Sequence, residues 1–563
     1  GEPPVLPAEV EVAYKTGAVG MEKVLWDFIP ESSYADLGSF QVQGRLISYP
    51  DITVTAQVTV RYDLTYTGQT YYVSNSGNDA NTGTSPDQAW STLDKVNAME
   101  FRPGDKILFE AGGIWNGYLR PRGNGDEGRP IVLSSYGDIQ AAGRPLINGG
   151  GTSYSLYSAT IMLVNQSYWE ISNFEITNYG AGQSYGTRYN EQYVRAGIYL
   201  YTYDQSQLMK DLTVENCYVH DVVSNTTDSV ANASPKMSGG IIALAEFRNP
   251  QGQSQAPATN NQAGFDGVTL QYNTVWRTMH EGIRTKVEGN YSTGYNRNNR
   301  NVSINNNYIE DTLGDGIVLG ENAENGVVEY NVVNGSASIN LNSVYYAAAW
   351  THYATDVLFQ YNEIYGTVYG QTDGQAFDAD NNCYNSVFQY NYSHNNQGGA
   401  LLLMSSQRNT VFRYNISAAD AWGNNQEVFQ DHSNNGTVNG APIVYNNTIY
   451  IVKDNTYLFS SMNTRNSAEY VIFMNNIVDV KEGVTGLKFS KSNVGIAPGS
   501  TITNNLFSKE GDFGITDVSW PGNYYGDAQL ANPEAYKDHE EGLAEGLKLF
   551  QKYFKGFRNT RFR

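Results

Sequence analysis

Asp373, Asp378 and Asp380 fall within eight residues, in Thr372-Asp373-Gly374-Gln375-Ala376-Phe377-Asp378-Ala379-Asp380, of a chain in which only 17% of residues are charged. Side chains alternate across a strand, so Asp378 and Asp380 project from one face and Phe377 and Ala379 from the other. Three carboxyl groups on one rigid sheet repel each other unless they bind a cation or share protons for chemistry. Two carboxyls acting as acid and as nucleophile or base would cleave a glycosidic bond. Asp378 and Asp380 acting as calcium ligands would instead serve a lyase, with a lysine or arginine abstracting a proton beside a uronate. A plain polar surface strand is the third reading.

The elements that must position these groups are visible as a repeat. A short apolar strand ending in Asn recurs, as in Leu270-Gln271-Tyr272-Asn273, Val328-Glu329-Tyr330-Asn331, Phe359-Gln360-Tyr361-Asn362, Phe388-Gln389-Tyr390-Asn391 and Phe412-Arg413-Tyr414-Asn415. From Asn273 onward the spacings are 34, 24, 31, 29, 24, 32, 29 and 29 residues. One turn per repeat, with loop insertions of variable length, describes a solenoid. Asn tolerates a left-handed turn, and its amide can bond the rungs on either side. The fold class is therefore all-β: a right-handed parallel β-helix over 69–520, preceded by a small β-sandwich module over 1–68 and followed by a tail over 521–563. Trp90-Ser91-Thr92-Leu93 predicts a short helix capped by Ser91 or Thr92, and Pro103-Gly104-Asp105 a turn into a strand; together they resemble the cap of such a solenoid. Leu543, Leu547, Phe550 and Phe554 recur at helical spacing in the tail.

Stacking the strands that follow each ladder Asn converts sequence distance into spatial distance. Ile283, Ile317, Phe377 and Leu401 form one inward column, and Thr285, Leu319, Ala379 and Leu403 another. Arg284, Val318, Asp378 and Leu402 then point outward together, as do Lys286, Gly320, Asp380 and Met404. Asp378 and Asp380 accordingly lie on an exposed groove, with Asp373 on the turn leading into it. The preceding rung carries Tyr345, Tyr346, Trp350 and His352. Rungs about 4.8 Å apart put these rings within sugar reach of the carboxyls. Arg284 and Gln375 complete the candidate substrate contacts. His280, His352 and His394 are each weighed against a purely structural role, and so are Glu281 and Asp315, which sit in the same pre-strand turn as Asp373.

Composition narrows the partners. A formal charge of −21 disfavours nucleic acid and polyanionic substrates, which want a basic surface. With Arg284 and Lys286 rungs away from the aspartates, hydrolysis is favoured over elimination. Hydrolysis by two carboxyls requires no cofactor, although the acid cluster leaves room for calcium. No metal site is assigned: the 2 cysteines, Cys217 and Cys383, match no zinc spacing and read as two buried free thiols. No stretch is apolar and long enough to insert into a membrane. A non-catalytic, carbohydrate-binding solenoid, such as an adhesin or a phage-like tail protein, remains the binding-only alternative.

The segments Val24-Leu25-Trp26 and Tyr34-Ala35-Asp36-Leu37-Gly38-Ser39-Phe40 resemble the bacterial Ig-like modules attached to secreted Gram-positive enzymes. That resemblance implies a secreted or cell-surface protein of a Gram-positive, gut-dwelling bacterium. The solenoid carrying Thr372-Asp373-Gly374-Gln375-Ala376-Phe377-Asp378-Ala379-Asp380 resembles the lacto-N-biosidases of glycoside hydrolase family 136. The resemblance implies release of lacto-N-biose (Galβ1-3GlcNAc) from milk oligosaccharides such as lacto-N-tetraose, with retention of configuration. The family's catalytic aspartates lie seven residues apart. Asp373 and Asp380 have that spacing, which implies Asp373 as acid/base, Asp380 as nucleophile and Asp378 as a supporting group. The family also implies a helical region or folding partner that this chain lacks.

Overall fold

A computed structural model describes residues 3–34, 38–60, 65–151, 154–187, 193–224, 235–254, 261–288, 297–338, 345–369, 373–423, 427–432, 442–461, 470–491, 496–508, 522–528 and 530. Thr372 and the apolar positions of the tail (Leu543, Leu547, Phe550 and Phe554) lie outside the described residues.

The alternating segments near the N-terminus become the strands Glu9–Ala13, Val19–Trp26, Gly38–Leu46 and Thr53–Val60. They pair in sequence order as one antiparallel sheet. Val24, Val42, Leu46 and Val58 are buried, as period-two patterning requires. Val19–Trp26 pairs with the first strand through Val19–Lys23 and with the third through Val24–Trp26, so its two halves serve different neighbours in this antiparallel module.

From Thr70 the chain winds into a parallel β-helix with three long parallel sheets of 15, 14 and 11 strands among the described residues. The first runs from Thr70–Val73 to Thr501–Thr503. The second runs from Ile114–Asn116 to Tyr524–Tyr525, beyond the expected limit at 520. The third runs from Tyr157–Val164 to Lys488–Ser490. At the open N-terminal end sits a helix, Leu93–Ala98, whose Thr92 side chain accepts from Lys95 N. Leu93 and Val96 are buried, so this helix shields the first rungs. Phenylalanines fill the interior: Phe359 stacks on Phe388 at 4.9 Å, and Phe429 on Phe459 at 5.0 Å.

The Asn ladder is continuous from Asn273 to Asn523. Each amide oxygen accepts from the backbone N–H and the side-chain amide of the Asn one rung back, as Asn391 does from Asn362 at 3.0 Å each. Each side-chain NH₂ donates to a carbonyl such as Phe359 O and to the next Asn. The turn itself differs from expectation. The left-handed residue is the one before the ladder Asn, and in five rungs it is Tyr: Tyr272, Tyr330, Tyr361, Tyr390 and Tyr414, with φ of 55–57°. The ladder Asn is therefore selected for its buried amide pairs. Outside, Tyr330, Tyr361, Tyr390 and Tyr414 stack successively at 4.9, 5.4 and 5.1 Å, with near-parallel rings. Stacking offsets the cost of placing a bulky residue at positive φ. Cys217 and Cys383 are both buried free thiols.

Candidate functional site

The strand Phe377–Ala379 belongs to the third sheet, and the observed register is the one that repeat stacking predicts. Phe377 pairs with Ala349 and Leu401, Asp378 with Trp350 and Leu402, and Ala379 with Thr351 and Leu403. Phe377 is fully buried in the solenoid interior, which fixes Asp378 on the outer side. Asp380 lies just past the strand, where its N–H donates to Thr351 O at 2.9 Å and keeps the parallel spacing for one more residue.

The outer side is not an open groove floor along its whole width. Asp378 is 6% exposed and Trp350 5%, and Arg284, Val318, Leu402 and Gln430 in the same column are buried too. This corrects the exposed placing of Asp378: its side chain is covered, whereas the Asp380 side chain keeps 18% exposure. Burial, and then the charges of Asp380 and Asp373, push the Asp378 carboxyl well above the usual carboxylate range; Lys236 opposes them.

The carboxylate of Asp380 is held asymmetrically. Its Oδ1 accepts from the Asn381 backbone N–H at 2.6 Å and from the Asn381 side-chain amide at 2.7 Å. Its Oδ2 faces His352 Nε2 at 3.9 Å. His352 is oriented from behind by Glu321, whose Oε1 lies 3.1 Å from Nδ1. Burial pushes the Glu321 carboxyl up, but Lys286 and the bond to His352 outweigh it and hold it below the usual range. His432 approaches from the opposite direction along the solenoid. Burial holds its imidazole below its usual value despite the pull of Asp380.

Asp373 sits in a tight turn, with φ of 63°, followed by Gly374 at 81°. Gly374 N donates to Tyr346 O at 2.9 Å, and Gly398 N donates to Gly374 O at 3.0 Å. A side chain on Gly398 would meet the Asp373 carbonyl oxygen at 2.1 Å, so that glycine allows the turn to seat. This turn leads directly into the Phe377–Ala379 strand.

The candidate substrate contacts separate into two groups. Tyr345 is exposed, and Trp350 and His352 adjoin the aspartates. Tyr346, Arg284 and Gln375 are buried and act as supports. Tyr346 bonds His280 Nδ1 at 3.0 Å, and Gln375 donates to Gln430, which contacts His432 at 2.9 Å. Arg284 pairs with Glu281 at 3.0 Å and lies 3.7 Å from Asp315. Burial, then Asp315, drives the Glu281 carboxyl well above its usual range, against Arg284 and Lys236. Lys236, which no motif announced, reaches Asp315 at 3.0 Å and accompanies Arg284 against the Trp350 ring, at 4.7 and 5.2 Å respectively. His394 is far from the cluster in the fold: it belongs to the second sheet, stacked on Tyr365 and Tyr392. Glu321 and His432 were also missed, although extending the Asp380 column by one and two rungs would have found His432. Among the described residues no group of three His, Cys, Asp or Glu side chains has metal-binding geometry.

The fold and site together define a parallel β-helix with aspartates on the outer side of its third sheet. Residues 1–49 match the family described as Bacterial Ig-like domain (group 4). Over 519 residues, 79% of this chain, the sequence is 32% identical to a lacto-N-biosidase of Bifidobacterium longum subsp. longum. The chain spans about a third (31%) of that relative's length. Two crystal structures of a GH136 lacto-N-biosidase from Eubacterium ramulus share the fold. The native protein superposes with a TM-score of 0.57 at 22% identity, over 78% of this chain and 68% of that one. The selenomethionine derivative gives 0.56 at 21% identity, over 81% and 68%.

Proposed function

We propose that the chain is a retaining glycoside hydrolase that releases lacto-N-biose from milk-type oligosaccharides such as lacto-N-tetraose. The observation that carries the reading is the asymmetric Asp380 carboxylate beside Asp378, which is buried and whose carboxyl is pushed well above the usual range by that burial. With Oδ1 engaged twice by Asn381, Oδ2 is the oxygen left to attack an anomeric carbon. In the proposed first step Asp373 protonates the glycosidic oxygen while Asp380 Oδ2 forms the glycosyl–enzyme bond. Asp373 then takes a proton from water, which attacks the anomeric carbon and releases Asp380. Glu321 and His352 position Asp380, and Asp378 supplies a carboxyl whose environment differs from both partners. The similarity to the Bifidobacterium enzyme supports this chemistry and its disaccharide product. The Ig-like module fits an extracellular enzyme, and we assign the chain to the secreted or cell-surface fraction.

Elimination is the less suited alternative. It needs a basic side chain able to take a proton, yet Arg284 is engaged by Glu281 and lies close to Asp315. Incubation with lacto-N-tetraose followed by chromatography separates the readings: free lacto-N-biose supports hydrolysis, an unsaturated sugar marks a lyase, and an unchanged substrate refutes both for this glycan. Asp380→Asn is expected to lower kcat by at least ~10³-fold while the disaccharide still binds. Turnover near the wild-type rate would remove Asp380 from the nucleophile's role.

A further inference from the structure

Among the described tryptophans only Trp422 stands exposed, at 44%. Single exposed apolar side chains are ordinary on protein surfaces, and most keep their rotamer freedom. Trp422 does not. Its indole N–H donates to Asn395 O at 2.9 Å. The backbone amides on either side, Ala421 N and Gly423 N, donate to Asn396 O and Gln397 O at 2.9 and 3.0 Å. Lys453, on the following rung, donates to the carbonyl of Trp422 at 2.6 Å and to that of Gly423. A side chain on Gly423 would meet Gln397 O at 2.7 Å, so the turn sits tightly on the rung before it.

The same stack of turns contains Asp373. Gly374 N donates to Tyr346 O, and Gly398 N donates to Gly374 O, which carries the register of the strands back into the turns. Tyr345, Asp373, Gln397 and Trp422 therefore occupy corresponding places on successive turns. Tyr345 is exposed as well, and the Gln397 side chain is engaged by Tyr369, whose N–H donates to Oε1 at 3.0 Å. Trp422 stands two rungs beyond Asp373, roughly 10 Å along the axis.

That position has a chemical meaning. Asp373 is the proton donor to the glycosidic oxygen, and this oxygen departs with the reducing-end sugars. Asp380, at the other end of the strand, faces the anomeric carbon of the released disaccharide. The stack of turns is thus the leaving-group side. At two rungs' distance the sugar next to the cleaved bond falls short of Trp422, and the one after it arrives. Pyranose rings carry an apolar C–H face that packs on a flat aromatic ring, and an indole already held in place loses no rotamer entropy on binding.

We propose that Trp422 is a sugar-binding platform for the second sugar beyond the cleaved bond, and hence a specificity-determining residue that favours oligosaccharides over simple glycosides. The inference rests on the glycosidase reading above.

The test compares Trp422→Ala with the wild type on two substrates. Lacto-N-tetraose has a disaccharide as its leaving group, whereas 4-nitrophenyl lacto-N-bioside has a single ring that stops short of Trp422. The ratio of kcat/KM on the tetrasaccharide to that on the aryl glycoside should fall about tenfold, through KM. Trp422→Phe keeps a ring and should recover part of the ratio, and activity on the aryl glycoside reports that each variant is folded. A ratio unchanged within about twofold, whether both activities hold or fall together, would overturn the platform. So would a loss carried by kcat alone, which would make Trp422 a support for the Asp373 turn. A wild type active on neither substrate would sink the glycosidase reading, and the platform with it.

Discussion

Replacing Asp378 with Asn keeps the side chain's shape and removes one titrating proton from the middle of the site. In the folded chain Asp378 holds its proton to higher pH than it does unfolded, because burial and then the charges of Asp380 and Asp373 oppose ionisation. The sign follows from linkage. Between the unfolded pKa near 3.9 and the raised folded value, the native state binds more protons than the unfolded state. The contribution of this group is thus fully present below the unfolded pKa and is lost as pH rises toward the folded pKa. Within that window the wild type loses about 1.4 kcal/mol per pH unit from this residue alone, and the loss levels off above the folded pKa. The Asn variant has no such loss, although its new NH₂ adds a roughly pH-independent penalty of about 1–3 kcal/mol if it finds no partner. Urea denaturation of both proteins across acid to neutral pH measures the difference. Glu281 and Asp420 are also buried with raised carboxyls, but they are common to both chains and cancel. Stability of Asp378→Asn relative to wild type should climb with pH at that slope and then reach a plateau, while activity falls. A difference independent of pH would refute the claim that Asp378 stays protonated in the native site.

Two further substitutions probe the frame around the aspartates. Gly398→Ala would place a methyl group 2.1 Å from the Asp373 carbonyl oxygen, so the turn must move. A kcat loss of ~10²-fold with unchanged circular dichroism is expected, and wild-type kcat would show that the turn geometry does not govern Asp373. Asn391→Ala deletes an acceptor for Asn362 N and Nδ2 and a donor to Phe359 O and Asn415 Oδ1, each at 3.0 Å. It should cost about 2–4 kcal/mol in urea denaturation. A shift under ~1 kcal/mol would mean that neighbouring rungs or water replace the ladder amide.

The solenoid was legible because its repeats are local. Asn273 to Asn505 mark successive turns by eye, and alignment of those marks gave the true partners of Phe377, Asp378 and Ala379. What could not be read was depth on the outer side. Alternation says which face of a strand a side chain takes, but it does not say whether a loop from elsewhere covers that face. Arg284 thus looked like a groove contact, yet it is buried and lies 3.0 Å from Glu281. Lys236 was invisible for the same reason: it reaches the column from the single helical turn Pro235–Met237, and its partners Asp315, Tyr346 and Trp350 lie 79, 110 and 114 positions further along the chain. The left-handed Tyr residues were missed because tyrosine is a poor candidate for positive φ in isolation; for Tyr330, Tyr361, Tyr390 and Tyr414 the stack with their neighbours offsets that cost.

Coverage of the outer face is also what differentiates the three aspartates. On a fully solvated strand they would titrate alike, and their seven- and two-residue spacings would assign no roles. The third sheet instead puts each in a different setting: Asp373 on a strained turn, Asp380 partly exposed with one oxygen engaged by Asn381, and Asp378 buried between Trp350 and Leu402. Glycoside cleavage needs carboxyls whose proton affinities differ, and environment is the only means a protein has of making identical side chains differ. The solenoid therefore supplies the register, and burial on the outer side sets Asp378 apart from its two neighbours.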